Sequence, residues 1–130
     1  MNSGLTTILA AVVMSTVACG STTDTSATED PFANARVGLC QAAAVSDRPA
    51  EARAVFFDSV HEPLHELADE TAARDRVAAG KLLEAKQRVE ADFASDDTAL
   101  PEDLDRLVDA TDAALSALDQ PPLNCGKERK

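Results

Sequence analysis

The sequence predicts an all-α fold, a small antiparallel up-down bundle of about four helices with a C-terminal tail linked by a disulfide. Three observations predict it. The chain is rich in Ala, Leu and Val and holds only five Gly and six Pro among 130 residues, a composition of strong helix formers with few breakers. Apolar residues recur at helical spacing in successive segments, and no segment alternates for long enough to be a strand. The breaks between these segments are short, which makes sequence neighbours antiparallel.

The first helix starts at Asp30-Pro31, because Asp accepts from the free N–H groups of a first turn and Pro is tolerated there. It runs to about Val45. Ser46-Asp47-Arg48-Pro49 then caps a second helix. Its Phe56, Phe57, Val60, Leu64, Leu67 and Ala68 fall within about 120° of arc and make one buried face. The boundary with the third helix lies between Asp69 and Asp75. Helix three puts Ala78, Leu82, Ala85, Val89 and Phe93 on one stripe, with Glu84/Arg88 and Lys86/Glu90 spaced for i,i+4 pairing on its other faces.

Ser95-Asp96-Asp97-Thr98 breaks the pattern and Pro101 restarts it. Leu104, Leu107, Val108, Thr111, Leu115 and Leu118 form the apolar side of helix four, which Pro121-Pro122 ends. In an up-down bundle helix four finishes beside the start of helix one. A Pro-Pro segment extended at about 3.1 Å per residue climbs along helix one and brings Cys125 to Cys40. The bundle domain is expected over residues 31–125, and Gly126 to Lys130 reads as a frayed, disordered tail.

Charge excludes one class of partner. With 23 acidic against 12 basic residues, a formal net charge of −11, four Phe and no Trp or Tyr, the chain lacks the basic, aromatic-studded face that nucleic acid requires. The same acidity repels anionic lipid, so a membrane anchor must be apolar or covalent.

From Leu5 to Val17 the chain is uncharged and mostly apolar, and it ends in the small residues Ala18-Cys19-Gly20. That is the layout of an export signal, and about 13 residues are too short to span a bilayer. At this junction Thr16-Val17-Ala18-Cys19 resembles the lipobox of bacterial lipoproteins, in which small or apolar residues precede a Cys that receives a diacylglyceryl thioether before cleavage. The resemblance covers the leader alone. It implies a signal peptide at residues 1–18, Cys19 as the first mature residue, and a palmitate-bearing anchor to the cell envelope. Two acyl chains hold a protein stably where one does not. Residues 19–30, Gly/Ser/Thr-rich and without apolar periodicity, read as a flexible tether.

With Cys19 lipidated, an exported chain keeps Cys40 and Cys125, and an oxidising compartment makes their pairing the expectation. A loop of this length is worth about 4 to 5 kcal/mol in the chain-entropy account. A redox or nucleophilic Cys would call for a Cys-x-x-Cys pair or an electropositive setting, which neither neighbourhood supplies.

Both histidines fall in His61-Glu62-Pro63-Leu64-His65, which matches H-E-x-x-H, the zinc-protease helix in which two His hold the metal and the Glu activates water. Pro63 argues against that chemistry, since it removes the hydrogen bond to the Ser59 carbonyl and pushes Glu62 from helical geometry. Glu84 stands at a plausible separation for a third ligand, but it points almost opposite the buried stripe. Metal binding without catalysis is the second reading. Asp58, His61, His65 and Asp69 span roughly 80° of the helix, so the histidines could ligate Zn²⁺ or Cu²⁺ with the carboxylates behind them. The third reading makes these residues an ordinary half-buried helix flank. No Cys-x-x-Cys-His for haem is present, and both Met residues lie in the leader, which removes Met-type copper ligation. The sequence-level expectation is a non-enzymatic binding or accessory module with no bound cofactor.

Overall fold

A computed structural model describes residues 29–95 and 99–126. The expected signal peptide at residues 1–18, Cys19, nearly all of the expected tether, residues 96–98 and residues 127–130 lie outside the described residues. Four helices build the described fold and no described residue is in a strand. Helix α1 is Ala33–Ala44. Helix α2 begins as Pro49–Val55, widens into a π-helical turn over Phe56–Val60, and continues as α-helix over His61–Ala72. Helix α3 is Arg76–Ser95 and α4 is Leu100–Ala117. Consecutive helices pack together and α4 returns to α1, as an antiparallel up-down bundle requires.

The first helix begins at Ala33 rather than at Pro31. Asp30 folds back locally: its Oδ1 accepts the Phe32 N–H at 2.9 Å, an Asx turn that precedes the helix instead of capping it. Phe32 is buried at the N-cap position. At α2 the cap position is Arg48 with no side-chain cap bond, and Pro49 opens the helix. The boundary between α2 and α3 is built by Asp75, whose Oδ1 accepts from Val77 N at 3.0 Å and Ala78 N at 2.9 Å, an N-cap bonding pattern.

Helix α2 runs through Pro63 as expected, but Glu62 stays helical instead of being pushed from helical geometry. The ladder changes one turn earlier, where the His61 N–H reaches the Phe56 carbonyl five residues back, so one extra residue is absorbed. The same change sets the burial pattern. Ala52, Phe56, Val60 and Leu64 are all fully buried at four-residue steps. At about 100° per residue three such steps would drift by about 120°, and one extra residue reduces this to about 20°. Phe57, expected on the buried face, swings outward for that reason and is 44% exposed.

The core joins Leu39 of α1, Phe56, Val60, Leu64 and Leu67 of α2, Leu82 and Val89 of α3, and Leu104, Leu107 and Leu115 of α4. Gly38 lets α1 approach the π turn closely, since a Cβ there would lie 2.8 Å from Val60 Cγ2 and 2.9 Å from Ser59 Cβ. Val108 and Leu118 of the expected α4 face are half-buried against this core.

Helix α4 stops before the prolines. Gln120 N donates to Leu115 O at 2.9 Å and Asp119 N to Ser116 O at 3.1 Å, a Schellman arrangement with Asp119 at φ 56° where Gly is usual. The tail then runs along α1, as expected. Arg36 Nη1 donates to the Pro121 and Pro122 carbonyls, Asp112 Oδ1 accepts from Leu123 N at 2.6 Å, and Leu123 is buried. The tail ends in a Cys40–Cys125 disulfide with Cα atoms 4.9 Å apart across 85 residues of sequence.

Candidate functional site

The candidate site lies between the middle of α2 and the second half of α3, where both histidines meet Lys86 and Glu90. Just past the π turn, His61 and His65 stand one turn apart with ring centroids 5.1 Å apart, edge to face. Lys86 crosses from α3 with its side chain 2% exposed. Its Nζ is 2.9 Å from His65 Nε2 and also donates to Glu90 Oε1. An ammonium carries donors only, so His65 Nε2 serves as the acceptor of this contact. Glu90 Oε1 is shared, because His61 Nε2 approaches it at 3.1 Å. Glu62 Oε1 lies 3.3 Å from the other nitrogen of the same ring, Nδ1.

An aromatic cluster borders these polar groups. Phe56 and Phe57 meet edge to face at 5.2 Å, and Phe93 packs 5.5 Å from Phe56 and 6.1 Å from Phe57. The His61 ring lies 5.5 Å from Phe57. Arg53 places its guanidinium 5.2 Å from the centre of the Phe57 ring, within cation–π range. The π turn therefore has a local effect as well as a packing one: it brings Phe57 to the rim of the polar cluster, half in water.

The residues singled out in the sequence divide into two sets. His61 and His65 are brought together, with Glu62 on one of them. Asp58 departs, because the extra residue of the π turn rotates it from the histidine side, and it accepts instead from Ser59 Oγ at 3.3 Å. Asp69 is exposed two helical residues past the core position Leu67. Glu84 accepts from Arg88 at 2.9 Å on an exposed face, and that bond and charge hold the Arg88 guanidinium above its ordinary value. Among the described residues no group of three or more His, Cys, Asp or Glu side chains is placed to hold a metal ion as the chain stands.

Lys86 and Glu90 are paired, as their i,i+4 spacing predicts, but Lys86 is buried instead of lying on an outer face. Its position carried a signal: at about 100° per residue Lys86 falls about 40° from Leu82, at the edge of the apolar stripe. Elsewhere an apolar groove lies over the disulfide, lined by Val37, Cys40, Ala44, Pro122 and Cys125. No described helix is long and apolar enough to cross a membrane. Compared with protein-family models, curated proteins and solved structures, the chain has no significant match.

Proposed function

We propose that the chain is an exported lipoprotein, held to the outer face of a membrane by lipid on Cys19, whose stapled bundle is a non-enzymatic binding or accessory module of the cell envelope. The observation that carries the reading is the Cys40–Cys125 disulfide, since such a bond forms and persists in oxidising, extracytoplasmic compartments. Cys19 follows Ala18 at the end of an uncharged apolar stretch, which supplies the anchor. The titratable groups between α2 and α3 are bonded to one another, an arrangement suited to holding two helices in register. The partner recognised at the envelope is a protein or small ligand, and the charge of −11 selects against nucleic acid. Labelled palmitate should enter the protein and disappear in Cys19→Ala, with the variant leaving the membrane fraction. Label that survives the substitution would overturn the anchor.

A second reading, a Zn²⁺- or Cu²⁺-binding lipoprotein, is favoured by the adjacency of the two imidazoles at 5.1 Å with Glu90 Oε1 3.1 Å from one of them. Calorimetric titration of wild type against His61→Ala/His65→Ala tests it. Micromolar or tighter stoichiometric binding that the variant loses would establish it. The hydrolase reading gains less support, because Glu62 leans on His61 Nδ1 and Glu84 on Arg88, leaving neither aimed at a bound water or metal.

A further inference from the structure

Two donors of the polar cluster bracket one buried cation, and a third stands beside one of them. His65 Nε2 and Glu90 Oε1 both bond the Lys86 nitrogen, and His61 Nε2 is 3.1 Å from that same carboxylate oxygen. Two nitrogens and an oxygen form a usual donor set for a borderline transition metal, in which ligands bonded at about 2.0–2.2 Å stand about 3.3 Å from one another. His61 Nε2 and Glu90 Oε1 already stand near that spacing. An ion there would have to draw the His65 ring in, since the three are not placed to hold a metal as the chain stands. What lies against two of the donors here is a buried ammonium. We infer that Lys86 holds the cation position of a His61, His65 and Glu90 donor set, and that a divalent transition-metal ion, Zn²⁺ or Cu²⁺, competes with the ammonium for it. This rests on the metal-binding reading of the histidines and adds the third ligand and the group that controls access.

Two further features fit. A histidine that ligates through one nitrogen donates its other N–H to a carboxylate or carbonyl, and Glu62 Oε1 stands 3.3 Å from His61 Nδ1 for that purpose. Glu62 of the H-E-x-x-H match thereby becomes the support of a ligand rather than a base. The His61 and Glu90 side chains are 28% and 29% exposed, so an ion can arrive from water, whereas the Lys86 side chain is 2% exposed. Displacing Lys86 breaks its bonds to both acceptors, and an ammonium that stays nearby repels the incoming ion. Wild-type affinity is therefore set below what the three donors alone would give.

The test compares the full chain with Lys86→Met, whose side chain is of similar length and uncharged. Both are titrated with Zn²⁺ by calorimetry and with Co²⁺ by visible absorption, and circular dichroism checks the fold. Lys86→Gln is carried as a second variant in case Met does not fold. Removing a like charge from hydrogen-bond range is expected to tighten Zn²⁺ binding roughly tenfold or more, at one ion per chain. Tetrahedral Co²⁺ bands should appear in the variant, vanish when His65→Ala or Glu90→Ala is added, and stay absent in Lys86→Arg. Equal binding by wild type and Lys86→Met would overturn the competition while leaving the metal reading intact. Binding by the Lys86 variants alone would support the competition and overturn metal binding by the native chain. Binding by neither would overturn both.

Discussion

Helix α2 makes two seams on opposite terms. Against α1 it packs Val60 and Ser59 onto Gly38 so closely that a single methyl group would collide, and the covalent bond at Cys40 lies two residues along the same helix. Against α3 it offers two imidazoles to an ammonium and a carboxylate. The first seam has no spare volume, and close-packed surfaces of this kind admit one arrangement. The second is held by directional bonds among charged and polar groups, and it is the seam at which the proposed exchange of Lys86 for a metal ion would take place. The difference separates the seam that specifies the bundle from the seam where chemistry has room.

That contrast can be broken in several ways. The largest effect is expected on the stapled side. Replacing both Cys40 and Cys125 by Ala frees a loop of 85 residues and should lower unfolding free energy by about 4 to 5 kcal/mol, read from urea melts. A loss under about 1 kcal/mol would show that the apolar packing alone specifies this side.

On the polar side, Glu90→Ala leaves the buried Lys86 ammonium with His65 alone. The expected loss is about 2 to 3 kcal/mol, below the figure for a fully buried pair because Glu90 is partly in water. Adding Lys86→Met to Glu90→Ala should recover part of that loss, since the stranded charge goes with it. If the double substitution is as damaging as the sum of its parts, the two residues do not act as a unit and the seam is not exchangeable.

Gly38→Ala is expected to cost about 1 to 2 kcal/mol, the clash with Val60 and Ser59 outweighing the better helix propensity of Ala. A stabilised variant would mean that the π turn yields, and the first seam would then be as adjustable as the second. The smallest effect is a gain. Asp119 adopts a left-handed conformation at the end of α4, and Asp119→Gly should add up to about 1 kcal/mol. Its ion pair with Arg74, exposed on both sides, offsets little of that.

The helices, their order and the disulfide were legible because each has a local signature: apolar period, Pro at a first turn, two thiols at the ends of an up-down path. The π turn was not. It follows from the four-residue spacing of Ala52, Phe56, Val60 and Leu64, whose drift on a regular helix matters only when all four must face one core. Phe57 was placed inside because a regular wheel omits the extra residue. Lys86 was placed outside because a charged side chain beside a carboxylate four residues on is ordinary surface chemistry. Its burial depends on His65, which is 21 residues away in sequence and reaches it only across the α2 and α3 packing. The histidines themselves were evident. Their partners were set by tertiary structure.

The disulfide also has a topological consequence. It closes residues 40 to 125 into a covalent ring, and the segment toward Cys19 leaves that ring at one point. A protease that cuts the chain once anywhere between the two cysteines opens a loop but detaches nothing. A singly nicked molecule keeps its mass on a non-reducing gel and separates into two pieces only after reduction, so one cut inside the ring does not part the bundle from the chain that precedes Cys40.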